Sequence, residues 1–232
     1  MSYLSNLKKL DSHKMFEVYD KWPEIAHKSF ETNLEEVSYE NINHIVFAGM
    51  GGSGTIGDIF SSILSKSKIH VNVVKGYVLP KTSNSNTLVV AISVSGNTAE
   101  SLSVLESAQK MNCKIICFTS GGKMLDFCKK NKIQCRIISK IHSPRASFIN
   151  YLYCILKILH VTLGINQKDI LESIKELKKI NFKINLSNIS NDNISLNLAE
   201  WITSTPIIYY PFGLQATGTR FKNCLNENSK II

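Results

Sequence analysis

A chain of 232 residues can bury a sizeable core in one large domain, or in one domain and part of another. Apolar residues at 44% and charged residues at 19% exclude a disordered chain. The formal net charge of +9 is spread over 27 basic residues, mostly single lysines, and excludes a concentrated nucleic-acid footprint.

In chain order, Met15, Val18, Trp22, Ile25 and Phe30 recur at near-helical spacing and predict a broken helical lead-in over residues 1–40. HIVFAG (44–49) reads as a strand, GTIGDIFSSILS (54–65) as a helix, and IHVNVV (69–74) and TLVVAIS (87–93) as strands. NTAESLSVLESAQKM (97–111) has helical periodicity, CKIICFTS (113–120) is strand-like, KMLDFCKKN (123–131) helical and IQCRIIS (133–139) strand-like. Strands apolar on both faces, alternating with helices, predict a parallel sheet covered on both sides: an α/β unit over 41–180.

Helices are expected at 146–163 and 167–180, then an Asn/Ser-rich linker at 181–193. From 194 on, SLNLAEWI reads as a helix, TPIIYY as a strand and GLQATGTRFKNCLNENSK as a loop leading into a helix, so 194–232 is expected to begin a second, incomplete α/β domain. FINYLYCILKILHVTLGI (148–165) approaches the length of a membrane span, but Asn150, Lys157 and His160 interrupt it, which predicts a buried helix. Its apolarity and the incomplete second domain together predict a homodimer. The N-terminus has no apolar signal-peptide core, and six cysteines without a C-x-x-C pair predict free thiols in a reducing cytoplasm.

Two loops stand out chemically. Gly49, Gly51 and Gly54 fit a G-x-G-x-x-G turn, yet no carboxylate occurs between Lys66 and Glu100 to hold a ribose, which argues against a dinucleotide. After the third strand, Ser93, Ser95 and Thr98 surround Gly96 just before a helix whose first amides are free to meet an anion. With strand order 2-1-3-4-5, both loops border one crevice at the carboxyl ends of the strands, and a phosphate monoester is the expected ligand. Neither histidine spacing nor clustered carboxylates supply a metal ligand set, so no metal or cofactor is expected.

GMGGSGTIGD (49–58), SVSGNTAES (93–101), HSPRASF (142–148) and LNENSK (225–230) resemble, in order, the motifs of sugar isomerase (SIS) domain proteins, and more closely those of the bifunctional phosphoglucose/phosphomannose isomerases. The resemblance implies a three-layer α/β/α SIS fold with a flavodoxin-like parallel sheet. It implies phosphate binding by Ser53, Ser93, Ser95 and Thr98, substrate contact at Gly51 and Gly52, Arg145 beside C1 and C2 of the sugar, and Glu227 as catalytic base. The implied reaction interconverts glucose 6-phosphate or mannose 6-phosphate with fructose 6-phosphate through a cis-enediol. Members of the family also use a ring-opening histidine from across a dimer, and none of histidines 13, 27, 44, 70, 142 and 160 stands in its context. The alternatives are a sugar-phosphate-binding regulatory module without catalysis and a ketose-phosphate isomerase of the same superfamily.

Overall fold

The computed structural model describes residues 3–231. Five strands form one parallel sheet in the order β2-β1-β3-β4-β5: β1 His44–Ala48, β2 His70–Val74, β3 Thr87–Ser93, β4 Lys114–Thr119 and β5 Gln134–Ile137. The central β1 and β3 are buried along their whole length, whereas the edge strands β2 and β5 are mostly half-buried, as their position dictates.

Side-chain alternation divides the core into two layers. Ile45 and Phe47 of β1, with Leu88, Val90 and Ile92 of β3, pack under α3 (Trp22–Phe30), α4 (Gly51–Ile63) and α7 (Phe148–Leu163). Val46, Ala48, Val89 and Ala91 point the other way, against α5 (Ala99–Lys110) and α6 (Gly122–Asn131). This is the expected three-layer arrangement, and it brings the ends of β1 and β3 side by side, with Ala48 opposite Ala91.

The lead-in is α1 (Tyr3–Leu10), α2 (Met15–Asp20) and α3, followed by irregular backbone up to β1. Three expectations need correction. α4 starts at Gly51, not 54, so the glycine-rich stretch is the first turn of the helix; packing overrides the poor helix propensity of glycine. α8 (Gln167–Ile184) runs four residues past its expected end, because Ile170 and Ile174 anchor it on the core and Asn166 caps its start through Lys168 N. α7 has little apolar surface to offer a partner, since Phe148–Leu156 are all buried within the chain and Val161 is exposed beyond them.

TPIIYY does not form a strand. Between α9 (Ile194–Trp201) and α10 (Gln215–Cys224) the backbone is irregular and pairs with no strand, and Tyr209 and Phe212 are 89% and 99% exposed. The second α/β unit is therefore not visible among the described residues. Instead α10 packs on α4, with Tyr210 seated against Gly218, where an added Cβ would stand 2.4 Å from the ring. Among the described residues no helix is long and apolar enough to cross a membrane, all six cysteines are free, and no three His, Cys, Asp or Glu side chains converge as a metal site would require.

Candidate active site

The β1–α4 turn is shaped by close approach. A Cβ on Gly49 would stand 3.0 Å from the Ile92 carbonyl, one on Gly54 2.7 Å from the Gly49 carbonyl, and one on Gly57 2.8 Å from Phe47 Cβ. Gly51 adopts φ +52°, so the three-glycine pattern serves a tight helix–strand junction. Met50 at the N-cap gives no side-chain bond to the first amides of α4, which leaves that turn open to an acceptor. Where a dinucleotide site would place its ribose-binding acid, Lys75 lies just past β2, with its stem against Gly54 and its ammonium paired with Asp58.

The β3–α5 loop is held more tightly. Gly96, at φ +68°, donates its N–H to Ser93 Oγ (3.1 Å), and its carbonyl accepts from Met124 N (2.8 Å). Asn97 Oδ1 accepts from Lys123 N (3.1 Å), and Ser120 donates to the Val94 carbonyl (2.6 Å), so the β4–α6 turn braces this loop. A Cβ on Gly96 would stand 1.7 Å from the Gly121 carbonyl, a position open to glycine alone.

Ser53, Ser95 and Thr98 line one cleft of about 470 Å³ together with Gly51 and Gly52. Ser93 is the exception among the expected phosphate ligands. It is 2% exposed and does not line the cleft, and its hydroxyl bonds Thr98 Oγ1 (2.8 Å) and the Gly96 amide. Its geometry orients Thr98 and closes the loop.

The other wall of the cleft is Ser143, Pro144, Arg145 and Glu227, brought from two distant segments. Arg145 lies in the 142–147 turn, where Ser147 is fully buried and bonds Ile141 and Ser143. Glu227 lies on a single π-helical turn, Leu225–Ser229, that continues α10. Arg145 Nε stands 3.3 Å from Glu227 Oε2, and Nη1 donates to the Glu227 carbonyl (3.2 Å) and to Asn228 Oδ1 (3.0 Å). Both side chains stay over a third exposed, so the pair faces the cleft and can be reached by a ligand.

The cleft thus has hydroxyls and open helix amides at one end and a carboxylate–guanidinium pair at the other. The first end suits a phosphate. The second can move a proton between adjacent carbons while a cation balances the negative charge that develops on neighbouring oxygens. Sequence reasoning missed Ser143 and Pro144 as lining residues, although both lie inside the HSPRASF stretch; it also missed Asn228, which anchors Arg145, and Arg220.

Known proteins share the family and the fold. The SIS domain family model matches residues 38–156, about half of the chain. A bifunctional phosphoglucose/phosphomannose isomerase of Caldicellulosiruptor bescii is 35% identical over 93% of this chain and 66% of its own length, and one of Aquifex aeolicus is 36% identical over 80% and 56%. The chain therefore spans somewhat less than two thirds of the curated relatives it matches. A solved structure of the C-terminal domain of glucosamine-fructose-6-phosphate aminotransferase from Francisella tularensis superposes with a TM-score of 0.70 at 18% identity, covering 97% of this chain and 69% of that one, and shares the fold. On its sheet topology and the match of residues 38–156, the chain belongs to the SIS domain family.

Proposed function

We propose that this chain carries the phosphate-binding and proton-transfer machinery of an aldose–ketose isomerase that interconverts glucose 6-phosphate, mannose 6-phosphate or both with fructose 6-phosphate. The supporting observation is the single cleft in which Ser53, Ser95 and Thr98 face Arg145 and Glu227. In this reading the phosphate sits across the first turns of α4 and α5, held by hydroxyls and by the positive ends of two helices. The sugar then extends toward Glu227, which takes the proton from C2 of the aldose and returns it to C1. Arg145 stays charged throughout and balances the cis-enediolate oxygens. Its ion pair with Glu227, at 3.3 Å, holds that carboxylate beside the cleft.

The domain division belongs to the same proposal: a lead-in over 1–40, the SIS unit over 41–180, a linker and a C-terminal segment. So does a homodimer, supported by the apolar side chains that Trp201, Ile207, Tyr209 and Phe212 expose. Cytoplasmic placement is supported by the free thiols.

The test is a coupled assay with glucose 6-phosphate and mannose 6-phosphate, beside calorimetry with glucose 6-phosphate, glucose and NAD. Turnover of at least one aldose phosphate, with weak glucose binding and no NAD binding, is expected. Hexose phosphate binding without turnover would recast the chain as a sensor of these sugars, and tight NAD binding would overturn the reading.

A further inference from the structure

The turn that carries Arg145 is held from outside the cleft, and one side chain makes most of the connections. Arg220, on α10, donates from Nη2 to the Arg145 carbonyl (3.3 Å) and lies with its guanidinium carbon 4.5 Å from the ring centroid of Phe148, the first residue of α7. Its Nη1 stands 3.8 Å from where a Cβ would project from Gly52, at the start of α4. One planar group thus touches the 142–147 turn, the helix that follows it and the phosphate-facing helix, yet Arg220 does not line the cleft.

The lead-in reinforces the same turn. His142 Nε2 is 2.8 Å from the His13 carbonyl, Ser143 donates to Met15 Sδ (3.8 Å), and Trp22 stacks on Phe148 with centroids 6.2 Å apart. Tyr19 meets Trp22 edge-on at 5.0 Å, and its buried hydroxyl shares its surroundings with Cys224, Arg220 and Arg145; burial and Cys224 push that phenol above its ordinary value, which the two arginines only partly offset. The family model match begins at residue 38, so it covers none of α1, α2 or α3.

We infer that Arg220 is a positioning residue that fixes the 142–147 turn against α4 and so sets how far Arg145 stands from the phosphate end of the cleft. The inference rests on the isomerase reading for what that distance is used for. A lysine could keep the charge but not the contacts, because only the flat guanidinium can stack on Phe148 while donating sideways to a carbonyl. In a chain where three of 27 basic residues are arginine, two of the three meet here.

Arg220→Gln and Arg220→Lys in the whole chain test it, with thermal melts to confirm folding. Hydrogen exchange at the Ala146 and Ser147 amides, which bond Ser143, should speed up roughly tenfold in both variants, while the Gly96 and Asn97 amides stay as in the parent. Binding of inorganic phosphate should stay within about twofold, and binding of fructose 6-phosphate should weaken roughly tenfold. In an Arg145→Lys background, Arg220→Gln should add little further loss, as coupled residues do. Unchanged exchange at 146 and 147 overturns the inference, as does a parallel loss of phosphate and fructose 6-phosphate affinity, which would make Arg220 an anion ligand. A parent chain that binds fructose 6-phosphate no better than phosphate defeats the isomerase reading, while the exchange result still decides what Arg220 does to the turn.

Discussion

The two ends of the cleft are built differently. At the end proposed to hold the phosphate, Gly51, Gly96, Gly121 and Gly122 take positive φ, and the 93–98 loop is tied by short-range bonds and by the neighbouring β4–α6 turn. At the end proposed to meet the sugar, Arg145 and Glu227 are 82 residues apart in sequence, rest on a turn and a π-turn, and keep over a third of their side-chain surface exposed. An anion site is served by a rigid backbone fixed before the ligand arrives, because its donors are main-chain amides and short hydroxyls. In the proposed isomerase reading the Arg145–Glu227 pair needs longer side chains that can part from each other and follow the substrate, with Arg220 and the lead-in as the inferred supports.

That contrast can be broken first at the sugar end. Glu227→Gln keeps the shape and removes the base, so isomerisation should fall by at least about 10²-fold while hexose phosphate affinity changes little, read by the coupled assay beside calorimetry. An active variant would remove Glu227 from the mechanism. At the phosphate end the expected loss is structural: Gly96→Ala drives a Cβ into the Gly121 carbonyl at φ +68°, and urea unfolding should show a loss on the order of 3 kcal/mol together with loss of phosphate binding. A variant of parent stability would mean the loop is softer than its bonds indicate.

Ser95→Ala sharpens the comparison, since it removes one donor and leaves the loop standing. Inorganic phosphate and hexose 6-phosphate should both weaken by about 1.5–3 kcal/mol, roughly tenfold or more, and by equal factors, because Ser95, besides accepting from Asn97 N, is proposed to meet only the phosphate that both ligands share. The smallest effect lies away from the cleft, at Glu36 and Lys157. The hydrogen bond from Lys157 holds the Glu36 carboxyl below its ordinary 4.5, so the folded value lies under the unfolded one. The stabilisation is present above the unfolded value and is lost as pH falls through the folded one. Glu36→Gln should lower Tm by about 2 °C or less at pH 7 and by nothing once the parent is well below pH 4.5, as scanning calorimetry would show.

The convergence of Ser53, Ser95 and Thr98 on one cleft could be read from sequence because it is local: SVSGNT and GMGGSG each hold their donors within a few residues, and alternating apolar runs placed both loops at one crevice. The role of Ser93 was less accessible, since nothing in its spacing tells a hydroxyl that faces the ligand from one that closes the loop behind it. Arg145 and Glu227 stood out by resemblance to the family, whereas Arg220 left one physical clue, an arginine in a lysine-rich chain. TPIIYY misled because β-propensity reports what a pleated surface would accept, and a strand forms only where another strand offers hydrogen bonds. α4 began earlier than its sequence indicated because the packing of Gly54 and Gly57 against the sheet lies outside any local rule.

The four glycines of α4 also bear on how the molecule melts. Each lowers helix stability by about 1 kcal/mol relative to alanine, so the 13-residue segment does not hold its shape in isolation. It is helical because β1, β2 and α10 clasp it, and it therefore unfolds with them in one cooperative transition instead of fraying alone. A ligand that recognises only the ordered first turn is thermodynamically linked to that whole transition. At a hundredfold excess over its dissociation constant it adds about 2.7 kcal/mol to global unfolding, so the melting temperature of the entire unit registers occupancy of one helix end.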